Sequence, residues 1–112
     1  MTLQEIIDRQ KTPAIYEKRN ITDDYGEIVF YSKDRDEWHK LFAEILGPAI
    51  KPEGAYPTPV HLDMTKNYGG IRSDQTLFKK EYEDSTVIAM FWPWQDGVCT
   101  TLKMIFLEKK LA

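Results

Sequence analysis

The sequence predicts an α+β fold, in which helices pack on one face of a curved antiparallel sheet and a long β-hairpin ends the chain. Two observations predict this class. Residues 86–94 and 98–107 are rich in β-branched and aromatic residues and flank a Gln-Asp-Gly turn, a strong hairpin signal. Residues 34–46 carry the periodicity of an amphipathic helix. Strands and helices that occur in separate runs are typical of the α+β class.

Composition narrows the class of protein. The chain has 112 residues, which we expect to form a single domain over residues 1–112. Its net charge of -3, without a basic cluster, argues against a nucleic-acid partner. No apolar run approaches the roughly 20 residues that span a bilayer, so no membrane partner is expected. The single cysteine cannot form an internal disulfide and no secretory signal is visible, so we expect a cytoplasmic location.

The elements before the hairpin follow from capping residues, periodicity and proline or glycine punctuation. Thr2 and Glu5 form a capping box in front of a short apolar stripe. In the first half of the chain, the predicted order is a helix over about residues 3–11, a segment over 14–20 that fits helix or strand, a turn over 23–26, a strand over 27–31 and a helix up to 46. A proline-rich loop over 48–59, a strand over 60–64 and a turn over 67–70 follow. The last segment before the hairpin, over 76–83, is predicted as a strand in preference to a helix.

The central helix is the most clearly marked element. Asp34 and Glu37 fit a capping box at its start, and Gly47 followed by proline fits its end. Its apolar residues recur at the spacing of one helix face, and we expect that face to cover the sheet. They are Trp38, Leu41, Phe42 and Ile45. His39 lies off this stripe and is expected to be exposed.

Pro93 restricts the register of the hairpin. A two-residue loop would pair Pro93 with Thr100 at a hydrogen-bonded position, where proline has no N–H to donate. A three-residue loop over 95–97, with Gly97 in the left-handed position of a bulge, pairs Pro93 with Cys99 at a non-hydrogen-bonded position. We therefore expect the three-residue loop.

This register divides the hairpin into an apolar face and a mixed face. The expected apolar face, which the central helix would cover, holds Ile88, Met90, Trp92, Trp94, Val98, Leu102, Met104 and Phe106. The expected mixed face holds Val87, Ala89, Phe91, Pro93, Cys99, Thr101, Lys103 and Ile105. The mixed face is too apolar for open solvent and too polar for a sealed core. We therefore expect function on that face and a structural role for the tryptophans.

Two short patterns are candidates for chemistry. His61 and Asp63 alternate on the predicted strand 60–64 and would point the same way, as an acid–base pair requires. A polar outer face of a strand explains the same pattern, and as a metal site the pair is incomplete. The segment from Tyr68 to Ser73 holds two glycines and Arg72, which could cradle an anion; a structural turn is the competing explanation. Cys99 has no basic neighbour in sequence and is expected to be unreactive.

Two functions from different classes fit these observations. The favoured one is a binding or protein-interaction domain without enzymatic activity, which forms a homodimer or meets a protein partner through the mixed face. The candidate ligand or interface residues are Phe91, Cys99, Thr101, Lys103, Ile105, Tyr68 and Arg72. The alternative is a small enzyme or small-molecule carrier in which this face forms a pocket, with His61 and Asp63 as acid–base groups. No cofactor and no metal are expected.

Overall fold

The computed structural model describes residues 2–9 and 12–108 of the chain. Its helices and strands are α1 (Leu3–Arg9), β1 (Ile15–Ile21), β2 (Tyr25–Tyr31), α2 (Arg35–Leu46), α3 (Pro59–Thr65), β3 (Thr76–Glu81), β4 (Ser85–Pro93) and β5 (Cys99–Glu108). Short 3-10 turns lie at Ser32–Asp34 and Lys66–Tyr68. No helix among the described residues is long and apolar enough to cross a membrane.

The strands form one open antiparallel sheet in the spatial order β1-β2-β5-β4-β3. This architecture confirms the predicted α+β class and the C-terminal hairpin. The two segments that were ambiguous in the sequence, 14–20 and 76–83, both contribute strands at the edges of the sheet. The two longest strands, β4 and β5, lie inside the sheet, where they are hydrogen-bonded on both sides.

One face of the sheet, which we call the inner face, is covered by α1 and α2. Trp38 of α2 stacks on Phe30 with ring centroids 5.0 Å apart, and Phe42 meets Phe91 edge-on at 5.4 Å. The buried residues of this core are Leu3, Ile6, Ile28, Phe30, Trp38, Phe42, Leu46, Phe78, Val87, Ala89, Phe91, Leu102 and Met104. The core therefore joins both helices to four of the five strands.

The N-termini of α1 and α2 differ in whether a side chain caps them. The capping box of α1 is confirmed, because Glu5 N donates to Thr2 Oγ1 at 3.1 Å and Thr2 N donates to Glu5 Oε1 at 3.4 Å. Asp34 occupies the N-cap position of α2, yet its side chain makes no capping hydrogen bond. Gly47 ends α2 with φ of 86°. His39, which we expected to be exposed, is partly buried against the ring of Phe91.

The segment predicted as a strand over 60–64 is instead the helix α3. Pro59 takes the first helical position, where its missing N–H costs nothing, and Thr58 caps the helix by accepting a hydrogen bond from His61 N. These start signals outweigh an alternation of only five residues. The helix leads into the 3-10 turn, and Met64 and Tyr68 pack against the second face of the sheet, which we call the outer face.

The register of the hairpin differs from the predicted one. Trp94 N donates to Cys99 O at 2.9 Å, so the loop has four residues, 95–98. Pro93 is opposite Thr100 and Phe91 is opposite Leu102. Because Trp94 and Cys99 form a hydrogen-bonded pair, Pro93 still falls at a non-hydrogen-bonded position. The constraint from proline was correct, but a four-residue loop satisfies it as well as a three-residue one.

This shift exchanges the partners of every residue across the hairpin. On β4, Val87, Ala89 and Phe91 face the inner core together with Leu102 and Met104 of β5. The predicted grouping of Phe91 with Thr101 and Lys103 is therefore wrong. The outer face holds the alternate residues of both strands: Ile88, Met90, Trp92, Trp94, Thr101, Lys103 and Ile105.

Candidate functional site

His61 and Asp63 do not form the expected acid–base pair. On a helix, residues two positions apart diverge by about 200°, whereas on a strand they would have been parallel. His61 Nδ1 instead accepts a hydrogen bond from Thr58 N at 3.1 Å, and Asp63 forms an ion pair with Lys66 at 3.1 Å. Both groups therefore serve α3 itself. Among the described residues, no group of three or more His, Cys, Asp or Glu side chains is placed to hold a metal ion.

The other predicted site residues fall on both sides of the sheet. Phe91 is 1% exposed beneath α2 and belongs to the core. Ile105 belongs to a smaller buried cluster on the outer face, and Cys99 is a buried free thiol. Thr101, Lys103, Tyr68 and Arg72 lie around one region of the outer face.

A cleft of about 440 Å³ opens at the end of the outer face, between the turn of the β4–β5 hairpin and the loop that precedes β3. We call it the tryptophan cleft. It is lined by Arg72, Gln75, Trp92, Pro93, Trp94, Gln95, Asp96 and Thr101. Arg72 and Thr101 are among the candidate residues predicted from the sequence. Both tryptophans were expected on the core face, because the predicted register of the β4–β5 hairpin was wrong.

Trp94 is held across the sheet by two polar contacts. Its Nε1 donates to Thr101 Oγ1 at 2.8 Å. The guanidinium of Arg19, on the distant edge strand β1, lies 5.5 Å from the centroid of the indole. Arg19 is itself fixed by ion pairs to Glu17 at 3.3 Å and Glu27 at 3.5 Å. The indole of Trp94, directly after β4, therefore has contacts to both β5 and β1, which favour one orientation for this wall of the cleft.

Trp92 is held between a cation and a glycine. Lys103 Nζ lies 3.6 Å from the centroid of its ring and donates to Tyr68 O at 3.3 Å. Burial lowers the pKa of Lys103, and the carboxylate of Glu27 opposes that shift. On the other side, a Cβ at Gly69 would lie 2.2 Å from Trp92 Cη2, so only glycine permits this approach. The Nε1 of Trp92 is buried and has no hydrogen-bond partner among the described residues.

The loop that carries Arg72 is anchored by a buried lysine. Lys51 is 1% exposed, and its Nζ donates to three backbone carbonyls: Pro52 O at 2.9 Å, Ser73 O at 3.1 Å and Gln75 O. Burial lowers the pKa of Lys51, while Asp74 and then Glu53 oppose the shift. No sequence pattern marks Lys51, because two of its three carbonyl partners, Ser73 O and Gln75 O, are brought to it by the fold.

Gln75 completes the anchor of this loop from inside the cleft. The side-chain oxygen of Gln75 accepts a hydrogen bond from Arg72 N at 2.8 Å, and the backbone N–H of Gln75 donates to Arg72 O at 3.1 Å. Gln75 is 2% exposed, whereas the side chain of Arg72 reaches solvent at the rim. The backbone of Arg72 is therefore fixed while its guanidinium stays accessible.

Arg72 differs from the other arginines whose side chains the structure describes. Arg19 pairs with Glu17 and Glu27, and Arg35 pairs with Glu53 at 3.0 Å. Arg72 forms no ion pair with any residue in the ranges 2–9 and 12–108. A guanidinium that is fixed at its base, accessible and without a carboxylate is available to a ligand.

A larger cavity of about 780 Å³ lies at the opposite end of the sheet. Its lining includes Asp23, Asp24, Asp84 and Glu108, together with Ser85, Phe106 and Leu107. These carboxylates come from the exposed β1–β2 and β3–β4 turns and from the last described residue, and no lysine, arginine or histidine within residues 2–9 and 12–108 shares the lining. We therefore place the candidate site in the smaller cleft, where aromatic walls, hydrogen-bonding groups and a free cation meet.

Among the described residues, the lining of the tryptophan cleft contains neither histidine nor cysteine. The one carboxylate there, Asp96, accepts a hydrogen bond from Val98 N at 2.9 Å in the hairpin turn. The other polar side chains of this lining offer hydrogen bonds from two amides, Gln75 and Gln95, a hydroxyl and a guanidinium. The chain matches no protein-family model, no curated protein and no solved structure.

Proposed function

We propose that the protein is a binding domain without catalytic activity and that its ligand lies in the tryptophan cleft. The observation that carries this proposal is the accessible Arg72 guanidinium, free of ion pairs among the described residues, beside two indoles that Lys103 and Arg19 hold in place. Because contacts within the fold order the two indoles before a ligand arrives, their part of the binding would cost little side-chain entropy. An aromatic and arginine cluster of this kind is typical of binding hot spots.

The edges of the sheet are poorer sites for a partner. Strand β1 has two register irregularities and carries Glu17, Lys18 and Arg19, features that hinder the addition of another strand. Strand β3 is partly covered, since Leu77 exchanges backbone hydrogen bonds with Lys51 at 3.0 and 3.2 Å. The cleft on the outer face therefore offers a better-formed surface than either edge.

Fluorine NMR of protein labelled with 5-fluorotryptophan tests this proposal. The three tryptophans give three signals, of which Trp38 is fully buried in the inner core and serves as an internal control. In a screen of small polar and aromatic fragments, we expect the binders to shift the signals of Trp92 and Trp94 and to leave that of Trp38 unchanged. A screen in which no fragment moves Trp92 or Trp94 would exclude the cleft as the binding site.

A separate observation favours self-association. Tyr16 on β1 is 54% exposed and rests edge-on against Tyr31, with centroids 5.3 Å apart, on the part of the outer face that α3 leaves open. A second copy of the chain that packed on this aromatic pair would bury it. Sedimentation velocity should then show a homodimer at high micromolar concentration that Tyr16→Ser weakens. A monomer at every concentration would exclude this second proposal.

A cytoplasmic location is part of the proposal as well. Its support is the single thiol, Cys99, which is buried and reduced. A chain that does not use disulfides suits a reducing compartment. Fractionation of cells that produce the protein tests this location, and recovery from the secreted fraction would contradict it.

A further inference from the structure

We infer that the ligand of the tryptophan cleft carries one carboxylate joined to a planar apolar group. This inference rests on the proposed function, since it names the chemistry of what the same cleft would bind. The carboxylate would meet Arg72, and the apolar group would lie along Trp92 and Trp94.

The guanidinium of Arg72 selects the carboxylate. Arginine presents a planar fork of N–H donors that matches the two oxygens of a carboxylate. Arg19 and Arg35 form such contacts inside the protein, each with a glutamate, at 3.5 Å and 3.0 Å respectively. Arg72 has the same side chain on an anchored loop, without a carboxylate among the described residues. An external carboxylate would give Arg72 the partner that the other two arginines with described side chains already have.

The charges around the cleft favour a single negative charge on the ligand. Asp96 lines the same cleft and would repel a dianion such as phosphate. Lys103 adds no accessible cation, because its amine is held against the ring of Trp92 and the carbonyl of Tyr68. The one free guanidinium among the described lining residues can balance one negative charge, and Asp96 disfavours a second one on the ligand.

The walls select the planar apolar group. The rings of Trp92 and Trp94 both line the cleft, and aromatic side chains bind planar groups in offset or edge-to-face arrangements. The volume of about 440 Å³ lies near the lower end of the range for small-ligand sites, roughly 300–1,000 Å³. One aromatic ring with a short polar chain fits this space. An oxygen of the ligand that reached Trp92 Nε1 would also satisfy the N–H that has no described acceptor.

Two sources could present this chemistry: a free aromatic acid, or the C-terminal residue of a peptide chain. The probe for the first is N-acetyl-L-phenylalanine, and its control is the corresponding C-terminal amide, which differs only in charge. The probe for the second is a pentapeptide that ends in phenylalanine, as the free acid and as the amide. Binding is followed by the fluorine signals of Trp92 and Trp94.

The decisive variants are Arg72→Gln and Lys40→Gln, each of which removes one exposed positive charge. Lys40 lies on α2, on the opposite side of the sheet, and serves as the matched control. We expect the acid to bind and the amide to bind at least about tenfold more weakly, as for loss of a charge-assisted hydrogen bond. Arg72→Gln should weaken the acid by roughly ten- to a hundredfold and leave the amide unchanged, while Lys40→Gln changes neither.

The outcomes separate the inference from the function on which it rests. A peptide acid that binds much more tightly than the amino acid identifies a chain terminus as the source, and equal affinities identify a free acid. Any of three results overturns the carboxylate inference: equal binding of acid and amide, full affinity in Arg72→Gln, or no binding of either acid. Each of these results still leaves a cleft that other fragments can fill. Saturable binding of inorganic phosphate that competes with the acid would contradict the charge argument. Failure of the fragment screen would instead overturn the proposed function.

Discussion

The two faces of the sheet differ in the residues that form them and in how far helices cover them. The inner face is closed by α1 and α2, and its residues are almost all aliphatic or aromatic, with Phe30, Trp38, Phe42, Phe78 and Phe91 in mutual contact. The outer face is covered only in part, by α3 and the 3-10 turn after it. Its tryptophans contact the cations of Arg19 and Lys103 and the hydroxyl of Thr101, and Trp92 also packs against the smaller aliphatic cluster of this face.

From this difference we expect stability and binding to depend on different faces of the sheet. Close-packed rings on the inner face lose many contacts when one is removed, because the neighbours cannot relax into the space. Aromatic side chains on the outer face are only partly buried, and polar contacts that remain accessible to water contribute less to the free energy of unfolding. We expect the inner face to dominate stability and the outer face to dominate recognition.

Phe91→Ala and Trp94→Ala give the largest test of this contrast. The two residues lie three positions apart on the same hairpin, one buried under α2 and the other at the cleft. We expect Phe91→Ala to lower the free energy of unfolding by about 3–5 kcal/mol, as for other core phenylalanines. Trp94→Ala should cost only about 1–2 kcal/mol, since it loses one hydrogen bond and one cation contact. Urea denaturation measures both, and equal losses would break the contrast.

Gly69→Ala and Gly70→Ala test how the outer face holds Trp92, with a smaller expected effect. Both glycines have positive φ, 98° and 79°, so each substitution carries a backbone cost of about 1–2 kcal/mol. A Cβ at Gly70 meets nothing within 4 Å, whereas one at Gly69 collides with the ring of Trp92. Gly69→Ala should therefore cost roughly 1–3 kcal/mol more than Gly70→Ala, as for overpacking, and should displace Trp92.

Urea denaturation of these two variants isolates the contact, because the backbone term is common to both. The fluorine signal of Trp92 should move in Gly69→Ala and stay in place in Gly70→Ala. If the two variants were equally stable and gave the same signal, the close approach of Trp92 to Gly69 would not be what positions the indole.

The elements of the inner face were readable from the sequence because their signals are local. The stripe of α2, the glycine at its end and the alternation of the hairpin each lie within a dozen residues. The register was not local. Pro93 restricts which positions are hydrogen-bonded, and loops of three or four residues both obey it. Ser32 N donates to Val98 O at 2.9 Å, so a residue 66 positions away holds the fourth loop residue in place.

The candidate site was only partly predictable for the same reason. Arg72 and Thr101 were among the expected residues, and the structure places both at the tryptophan cleft. Lys51, which anchors the loop of Arg72, was not, because its carbonyl partners come from as far as Gln75. Helix α3 was missed because five alternating residues resemble a strand when the proline and threonine that start the helix are given too little weight.

The two histidines extend the contrast between the faces to pH. His39 on α2 packs against Phe91, with ring centroids 4.6 Å apart, and its Nε2 is buried without a hydrogen-bond partner among the described residues. Burial lowers the pKa of His39 below its ordinary value of 6.5; nearby Glu53 and Asp36 oppose the shift and Arg35 adds to it. His61 on α3 lies on the other side of the sheet and caps its own helix.

The sign of the effect follows from the lowered pKa of His39. As the pH falls below 6.5, the unfolded chain binds a proton at this residue before the folded protein does. The free energy of unfolding should therefore be at its full value above pH 6.5 and should fall between that pH and the pKa of the folded state. The slope from one group cannot exceed about 1.4 kcal/mol per pH unit. Urea denaturation from about pH 8 to about pH 5 should show this decline.

Replacement of each histidine assigns the decline to one face. In His39→Phe the ring cluster stays filled and the titrating group is gone, so the decline just below pH 6.5 should flatten. In His61→Asn it should persist. If His39→Phe kept the full pH dependence, the decline would not come from His39, and its burial against the ring of Phe91 would not be the cause.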